Sequence, residues 1–369
     1  MRLTGIRLRN FRNYQALDLA PGPGLNLLLG ENAAGKTNVL EALFLSALGK
    51  SHRAGKDPEL IRTGEDYAAI DLSLDTAGGS RTIGVRLSRR EKKKVLLDGS
   101  RLNRSGDLMG CLTLVLFAPE DLTLIKDGPG ERRRFLNMAI SQQTPRYYFL
   151  LQAYNLALKQ RNALLKREEL PGDEEFLPWE EQLSSAGAQI IAHRERFAGA
   201  LSGSARRSHE LVSGGKETLS LSYQPALPLE AGMDASDYGE LLLTRLKESR
   251  RRDVFRGGTG VGPHRDDLTI CINGEEAKGF ASQGQQRTAV LSLKLAELEI
   301  LSNMRGEKPV LLLDDVFSEL DRKRQALLLS ACREVQTFIT CTHLDTLPPA
   351  GEAELRRYHI QGGALVKEE

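Results

Sequence analysis

The spacing of apolar positions changes period along the chain, and each change predicts a different element. Leu3 to Leu8 alternates apolar and polar residues, the mark of a half-buried strand. Leu25 to Leu29 is a short apolar run closed by Gly30, which predicts a buried strand. Val39, Leu40, Leu43, Phe44 and Ala47 then recur at helical spacing. Tyr67 to Leu97 alternates again and ends on an Asp98-Gly99 turn signal. In the middle, Tyr147, Leu151, Tyr154, Leu158 and Leu165 form one heptad stripe. Trp179, Leu183, Ala186, Ile190, His193, Phe197 and Ala200 form a second, on which His193 reads as a packed histidine. Arg167 to Pro178 lies between them, acidic and broken by Pro171-Gly172. Two heptad helices around a breaker predict a short antiparallel hairpin, about 28 Å long at 1.5 Å per residue. The same stripes also suit ordinary core helices packed against a head. From about residue 258 the α/β texture returns. Leu268 to Ile272, Val310 to Leu313 and Phe338 to Thr340 predict strands, and Gln283 to Ser302 predicts a helix apolar on two sides and hence buried.

The expected organisation is an α/β head built from both ends of the chain, residues 1–125 and 258–369, with a mostly helical arm inserted over 126–257. At 369 residues the chain is long enough for such a pair of domains. Composition is globular, with 40% hydrophobic and 27% charged residues. The net charge of +2 means that any nucleic-acid site must be a local patch. Cys111, Cys271, Cys332 and Cys341 contain no CxxC pair and read as reduced thiols. The N-terminus, MRLTGIRLRNFRNY, has no apolar signal-peptide core, and no stretch approaches the roughly 20 apolar residues of a membrane span. A cytoplasmic protein without a membrane partner is expected.

The candidate chemistry begins at the turn after the second strand. Gly30, Glu31, Asn32, Ala33, Ala34, Gly35, Lys36 and Thr37 fit GxxxxGK[ST], the P-loop. Glycines let backbone N–H groups turn inward around phosphate oxygens. Lys36 brings a cation to the β- and γ-phosphates, and Thr37 offers a hydroxyl to Mg²⁺. The loop sits between a buried strand and an amphipathic helix, as this chemistry requires. Leu311 to Asp315 is an apolar run ending in two aspartates, a Walker B pattern. Asp314 can hold Mg²⁺, and Asp315 can orient or deprotonate the attacking water.

Further motifs narrow the class by resemblance. Ser282-Gln283-Gly284-Gln285-Gln286 resembles the ABC signature, in which Ser282, Gly284 and Gln285 would meet the γ-phosphate held by a second head. A helix cap by Ser282 is the plainer reading of that run alone. Ser318 to Asp321 is similar to the D-loop, and Thr342-His343 looks like the switch histidine. Asn10-Phe11-Arg12-Asn13 is similar to SMC-like heads, where Arg12 would approach the nucleotide, with Asn13 beside it. Lys50 to Arg53, Pro119 to Asp121, Gly128 to Leu136, Gly262 to Leu268 and Asp315 to Asp321 all resemble the RecF family. That resemblance implies an ABC/SMC-type ATPase using ATP and Mg²⁺, with Asp315 and His343 catalytic. It also implies an ATP-dependent homodimer that acts on duplex, single-strand or gap-junction DNA. The implied role is recombinational repair of gapped DNA and replication-fork maintenance, assisting RecA loading with RecR/RecO-type proteins.

There are departures. Asn137 stands where an aspartate is usual and Asp127 where a glycine is usual, both away from the nucleotide motifs. No Q-loop glutamine is identifiable; Glu120 or Asp121 sits near its place. Asp315 replaces the usual catalytic glutamate, and a shorter carboxylate predicts slow turnover. Basic runs fall at Arg89 to Lys94, Arg132 to Arg134 and Arg250 to Arg252. Lys92, Lys93, Lys94, Arg132 and Arg133 are the candidates for a DNA patch. Aromatics are 5% of the chain, and no basic run is interleaved with them, which argues for backbone contact over base stacking. A transporter motor subunit is disfavoured by the inserted hairpin, and a long SMC-type clamp by its shortness.

Overall fold

Continuous apolar runs and alternating runs become two different kinds of sheet. In a computed structural model, residues 1–169, 171–227, 233–342 and 355–369 are described. The chain opens with strands β1 (Arg2–Phe11), β2 (Tyr14–Leu19) and β3 (Leu25–Leu29), then helix α1 (Lys36–Leu48). Strands β4 (Tyr67–Thr76), β5 (Gly79–Ser88), β6 (Lys94–Leu97), β7 (Ser100–Arg101) and β8 (Leu114–Phe117) follow. Helices α2 (Thr123–Lys126), α3 (Pro129–Gln143), α4 (Pro145–Leu164) and α5 (Asp173–Ser213) make the middle. After them come β9 (Leu219–Gln224), α6 (Ala235–Arg256), β10 (Asp267–Ile272), β11 (Glu275–Glu276), α7 (Ala277–Phe280) and α8 (Gln283–Arg305). The last elements are β12 (Val310–Asp314), α9 (Arg322–Cys332), β13 (Thr337–Cys341), β14 (Leu355–Gln361) and β15 (Ala364–Glu368).

These elements form two compact units, Met1–Leu122 with Leu211–Gly214 and Val290–Glu369, and Thr123–Glu210 with Gly215–Ala289. The first unit holds two six-stranded sheets. One runs β2-β1-β4-β5-β6-β7 and is antiparallel. Its strands alternate in burial, as a sheet with one covered face should. The other runs β15-β14-β3-β13-β12-β8 and is parallel except for the edge hairpin of β14 and β15. Every residue of β3, β12 and β13 is buried. Such strands are covered on both faces, which is why they read as largely apolar runs, interrupted only by the buried polar residues Asn26, Asp314, Thr337 and Thr340. Leu27, Leu311, Leu313 and Ile339 share one core cluster with Leu291, Leu298 and Leu301 of α8 and Leu328 of α9.

The second unit is mostly helical, with one three-stranded sheet, β11-β10-β9. Helices α4 and α5 run antiparallel: Arg161 meets Glu180 at 3.1 Å, and Tyr147 meets Arg194 at 3.1 Å. The expected hairpin is therefore present, but two details differ. The breaker is shorter than expected, because α5 begins at Asp173 and carries Pro178 inside it. Helix α5 is also 41 residues long, about 60 Å at 1.5 Å per residue, well beyond the expected arm. Its stripe is an internal seam of the unit. Arg161 on α4, fully buried, also bonds Asp253 and the Leu246 carbonyl of α6, both at 2.8 Å.

The expected return to the head at residue 258 does not match the packing. Strand β10 pairs along its whole length with β9. Arg132 of α3 forms a two-pronged ion pair with Asp267 at 2.7 and 2.8 Å. Residues up to Ala289 therefore belong to the second unit. Among the described residues, no helix is long and apolar enough to cross a membrane.

Candidate nucleotide site

The P-loop connects the C-terminal end of β3 to the N-terminus of α1, and its geometry follows from its small residues. Ala33 and Gly35 take positive φ, 63° and 120°. Gly35 has no room for a side chain, since a Cβ there would lie 2.8 Å from both amide atoms of Asn13. Asn13 is itself fixed on the loop. Its amide donates to the Ala34 carbonyl at 2.9 Å, and its oxygen accepts from Asn38 at 2.8 Å. From the other side the turn between β14 and β15 donates the Gly363 N–H to the same Ala34 carbonyl, at 2.9 Å. Glu31, Asn32 and Ala33 form the exposed lip, while Ala34 to Lys36 is buried. Lys36 Nζ donates to the Gly30 and Glu31 carbonyls at 2.6 and 2.8 Å. Burial pushes its pKa down, and the carboxylates of Asp315 and Asp314 oppose that.

Asp314 ends β12, two strands from β3 across β13. Its Oδ1 accepts from the Thr37 hydroxyl at 2.7 Å and the Thr340 hydroxyl at 2.8 Å. Burial raises the Asp314 pKa, and the two hydroxyls pull it back. Asp315 is exposed and held at φ 51°, an uncommon conformation for a residue with a side chain. Its N–H donates to Thr340 Oγ1 at 2.9 Å. Thr340 thus ties both aspartates together, a role that its place in an apolar strand did not announce. A cavity of about 180 Å³ is lined by Asn32, Ala33, Gly35, Lys36, Thr37, Asn38, Arg53, Asp315 and Thr340. It is smaller than the roughly 300 Å³ at which whole small-molecule pockets begin. Its lining, with the cations Lys36 and Arg53, suits a polyphosphate. Thr37 and Asp314 offer two oxygens to a cation. Among the described residues no cluster of three or more His, Cys, Asp or Glu could hold a metal alone. Two protein oxygens with phosphate and water completing the shell is the way Mg²⁺ is commonly held. Arg53 comes from the Lys50 to Arg53 stretch, to which no role was given.

The remaining expected residues fall in different places. Arg12 does not face the cavity. Its guanidinium is bidentate to buried Glu41 at 2.7 and 2.8 Å, and Glu41 also accepts from Ser51 at 2.5 Å. A buried carboxylate on α1 takes a guanidinium before a solvated ligand can, because leaving it unpaired would be costly. Of the two Q-loop candidates, Asp121 turns back to accept from the Ala118 N–H at 2.8 Å and pairs with buried Lys294 at 3.8 Å. Glu120 is the one close enough to Asp314 to raise its pKa. Ser282 and Gln285 form a reciprocal helix cap on α8: the Ser282 N–H donates to Gln285 Oε1 at 2.8 Å, and the Gln285 N–H to Ser282 Oγ at 3.3 Å. Ser282 and Gly284 are exposed beside it, in the second unit. Asp321 caps α9 through the Arg324 N–H at 2.9 Å. His343 lies outside the described residues.

The expected DNA patch is mostly consumed internally. Lys93 donates to the Gly49 carbonyl at 2.8 Å and both oxygens of Asp57 at 3.0 Å. Lys94 pairs with Glu91. Arg132 is buried against Asp267, and Arg133 donates to the Asp266 carbonyl at 2.6 Å. Lys92 alone of the five is exposed with no hydrogen bond or ion pair among the described residues. The five also belong to two units, Lys92 to Lys94 to the first and Arg132 and Arg133 to the second.

A P-loop and a Walker B carboxylate at the ends of two parallel strands of one sheet, β3 and β12 with β13 between them, and a helical unit inserted into the chain, define a P-loop head of the ABC/SMC class. The profile described as "RecF/RecN/SMC N terminal domain" matches residues 2–362. The DNA replication and repair protein RecF of Alkaliphilus oremlandii is 42% identical over 361 residues, 98% of each chain. That of Lachnoclostridium phytofermentans is 42% identical over 369 residues, 100% of each chain. The solved structure of the recombination mediator protein RecF with ATP, in the RecFOR pathway, superposes with a TM-score of 0.91 at 36% identity. It covers 100% of this chain and 96% of that one. An Smc head from Pyrococcus furiosus, 17% identical with a TM-score of 0.58, shares the fold alone. The chain belongs to the RecF/RecN/SMC N-terminal-domain family and, within it, to the RecF proteins.

Proposed function

We propose that this chain binds and slowly hydrolyses Mg-ATP, pairs with a second copy on ATP, and acts on DNA in recombinational repair of gaps and fork maintenance. One observation carries the reading. The hydroxyls of Thr37 and Thr340 converge on one oxygen of Asp314, beside a cavity lined by Lys36 and Arg53. Bound Mg²⁺ supplies charge stabilisation for the transferred phosphoryl group. The chain's own residues do the rest. Lys36 and the loop N–H groups hold phosphate oxygens. Thr37 and Asp314 hold the metal. Asp315, with its backbone pinned by Thr340, orients the attacking water, and His343 contributes as the switch residue. Exposed Ser282, already a helix cap, serves a second copy through its free lone pair, with Gly284 and Gln285 beside it. Assembly with RecR/RecO-type proteins and help in loading RecA rest on the RecF resemblance.

The test is molar mass in solution with Mg-ATP, with and without DNA. Wild type is expected to dimerise on ATP. Ser282→Arg is expected to bind a fluorescent ATP analogue normally but remain monomeric. Asp314→Ala is expected to lose Mg-dependent binding itself. A wild-type chain that stays monomeric at saturating ATP and DNA would overturn the shared-site mechanism and leave a single-site P-loop NTPase.

A further inference from the structure

The third basic run, Arg250 to Arg252, lies on helix α6, a different element from β6 and the loop before it, which carry Lys92 to Lys94, and from α3, which carries Arg132 and Arg133. Helix α6 buries Tyr238, Leu242, Leu246, Ser249 and Asp253, one continuous face. Its last turn and a half presents the opposite face to solvent: Arg251, Arg252, Val254, Phe255 and Arg256 are all exposed. Phe255 is 97% exposed, more than any other large apolar residue described. On a helix, Arg251 and Arg252 stand four and three positions before Phe255 and are its neighbours on the surface. Arg256 follows it directly.

These cations are uncommitted where others are not. Arg250 turns inward to Glu180 at 2.6 and 2.9 Å and to Asp173. Asp253, the one acid in the turn, is buried on Arg161 and Ser249. Glu248 is engaged with Arg245 at 3.0 Å. Arg251, Arg252 and Arg256 have no hydrogen bond or ion pair among the described residues. Cations at a helix C-terminus also offset its dipole. That accounts for arginines, but not for an exposed phenylalanine between them.

We infer that the C-terminal end of α6 binds an unpaired nucleotide of a DNA strand, with Phe255 stacked on the base and Arg251, Arg252 and Arg256 holding the flanking phosphates. An aromatic face accepts any base, and guanidinium groups match phosphate geometry, so the pair reads exposed single strand without reading sequence. An acidic protein segment would satisfy the arginines but has no need of a flat ring. The inference rests on the proposed action on DNA and names where unpaired strand is held.

The test uses the full chain with Mg-ATP and two fluorescent DNAs, a blunt duplex and the same duplex carrying a gap with 2-aminopurine in the single strand. Phe255→Ala is expected to weaken gapped-DNA binding about tenfold, the scale of one lost base stack, and to leave the duplex unchanged. Wild type is expected to quench the 2-aminopurine, Phe255→Ala not to, and Phe255→Trp to restore the quench. Arg251→Ala with Arg252→Ala is expected to reduce the salt slope of gapped-DNA binding by roughly 1.4, at about 0.7 per cation on single strand. Unchanged gapped-DNA affinity and quench in Phe255→Ala would overturn the inference while leaving DNA binding standing. So would a variant whose only defect is self-association or binding to an acidic protein. A wild type that binds neither DNA would overturn the inference together with the reading beneath it.

Discussion

Thr340 shows how much one hydroxyl can decide at this site. It donates to Asp314 and accepts the N–H of Asp315, whose backbone sits at φ 51°. Thr340→Val keeps the shape of the strand and removes both bonds. ATP hydrolysis is expected to fall by about 10- to 100-fold, the usual cost of losing a group that orients a metal-site carboxylate, with little change in nucleotide affinity. An unchanged turnover in a single-turnover assay would remove Thr340 from the site. His264 is a second such residue, in the Gly262 to Leu268 stretch. Its Nε2–H donates to the Thr259 carbonyl at 3.0 Å and its Nδ1 accepts from Tyr154 at 2.6 Å. Burial pushes its pKa from 6.5 down to about 4, so the folded chain holds it neutral. The unfolded chain takes up the proton near 6.5. Its stabilising contribution is therefore full above pH 6.5 and is lost as pH falls towards about 4. Thermal midpoints across that window should fall more steeply for wild type than for His264→Gln, which keeps one donor and one acceptor. Equal slopes would show that another group titrates there. Neither role was visible from residue type: a threonine in an apolar run and a histidine in a turn both suit many neutral readings.

At the scale of elements, periodicity named the strands and helices well, because burial on one face or two leaves a direct mark on spacing. β3, β12 and α1 fall where the apolar runs put them. The pattern failed where polar groups do the packing. Arg161, Glu180 and Arg194 are buried between the helices of the second unit, and no hydrophobic stripe can mark them. The C-terminal hairpin is another case. Its turn braces the P-loop across the sheet, since the Gly363 N–H meets the Ala34 carbonyl. A Cβ on Gly363 would overlap the Asn13 carbonyl oxygen and lie 2.8 Å from its carbon, at φ 77°. At Gly362, with φ 56°, nothing lies within 4 Å. Gly362→Ala should therefore cost only the left-handed backbone strain, about 1–2 kcal/mol. Gly363→Ala should in addition weaken ATP binding, on the order of tenfold or 1.4 kcal/mol. Equal nucleotide affinities in the two variants would dismiss the brace.

At the scale of the molecule, a near-neutral chain can act on a polyanion only through cations that nothing else neutralises. The candidate patch of Lys92 to Lys94 with Arg132 and Arg133 misplaced those cations, two of which lie in the third basic run, Arg250 to Arg252. Arg132, Arg133 and Lys93 are engaged by carboxylates and carbonyls from distant parts of the chain and Lys94 by nearby Glu91, whereas Arg251, Arg252 and Arg256 have no such partner among the described residues. Phe255 belongs to the same exposed turn, so the expectation that no basic run is interleaved with an aromatic also needs correction. The boundary between the units moved for a similar reason, since Asp267 and β10 are held by α3 and β9.

The sequence by itself determined the class of protein. Phosphate chemistry demands a short, contiguous run of small residues, a lysine and a hydroxyl, and contiguous demands survive in one dimension. It also determined the buried strands, because burial writes itself into spacing. Only the tertiary structure decided which charges are spent and which remain. Arg12 goes to Glu41 rather than to the cavity, Arg53 lines it instead, and Thr340 joins the two aspartates. Each of these depends on which residue arrives opposite, from tens to hundreds of positions away. A buried charge takes the partner that the fold brings to it, and one-dimensional spacing carries no record of that choice.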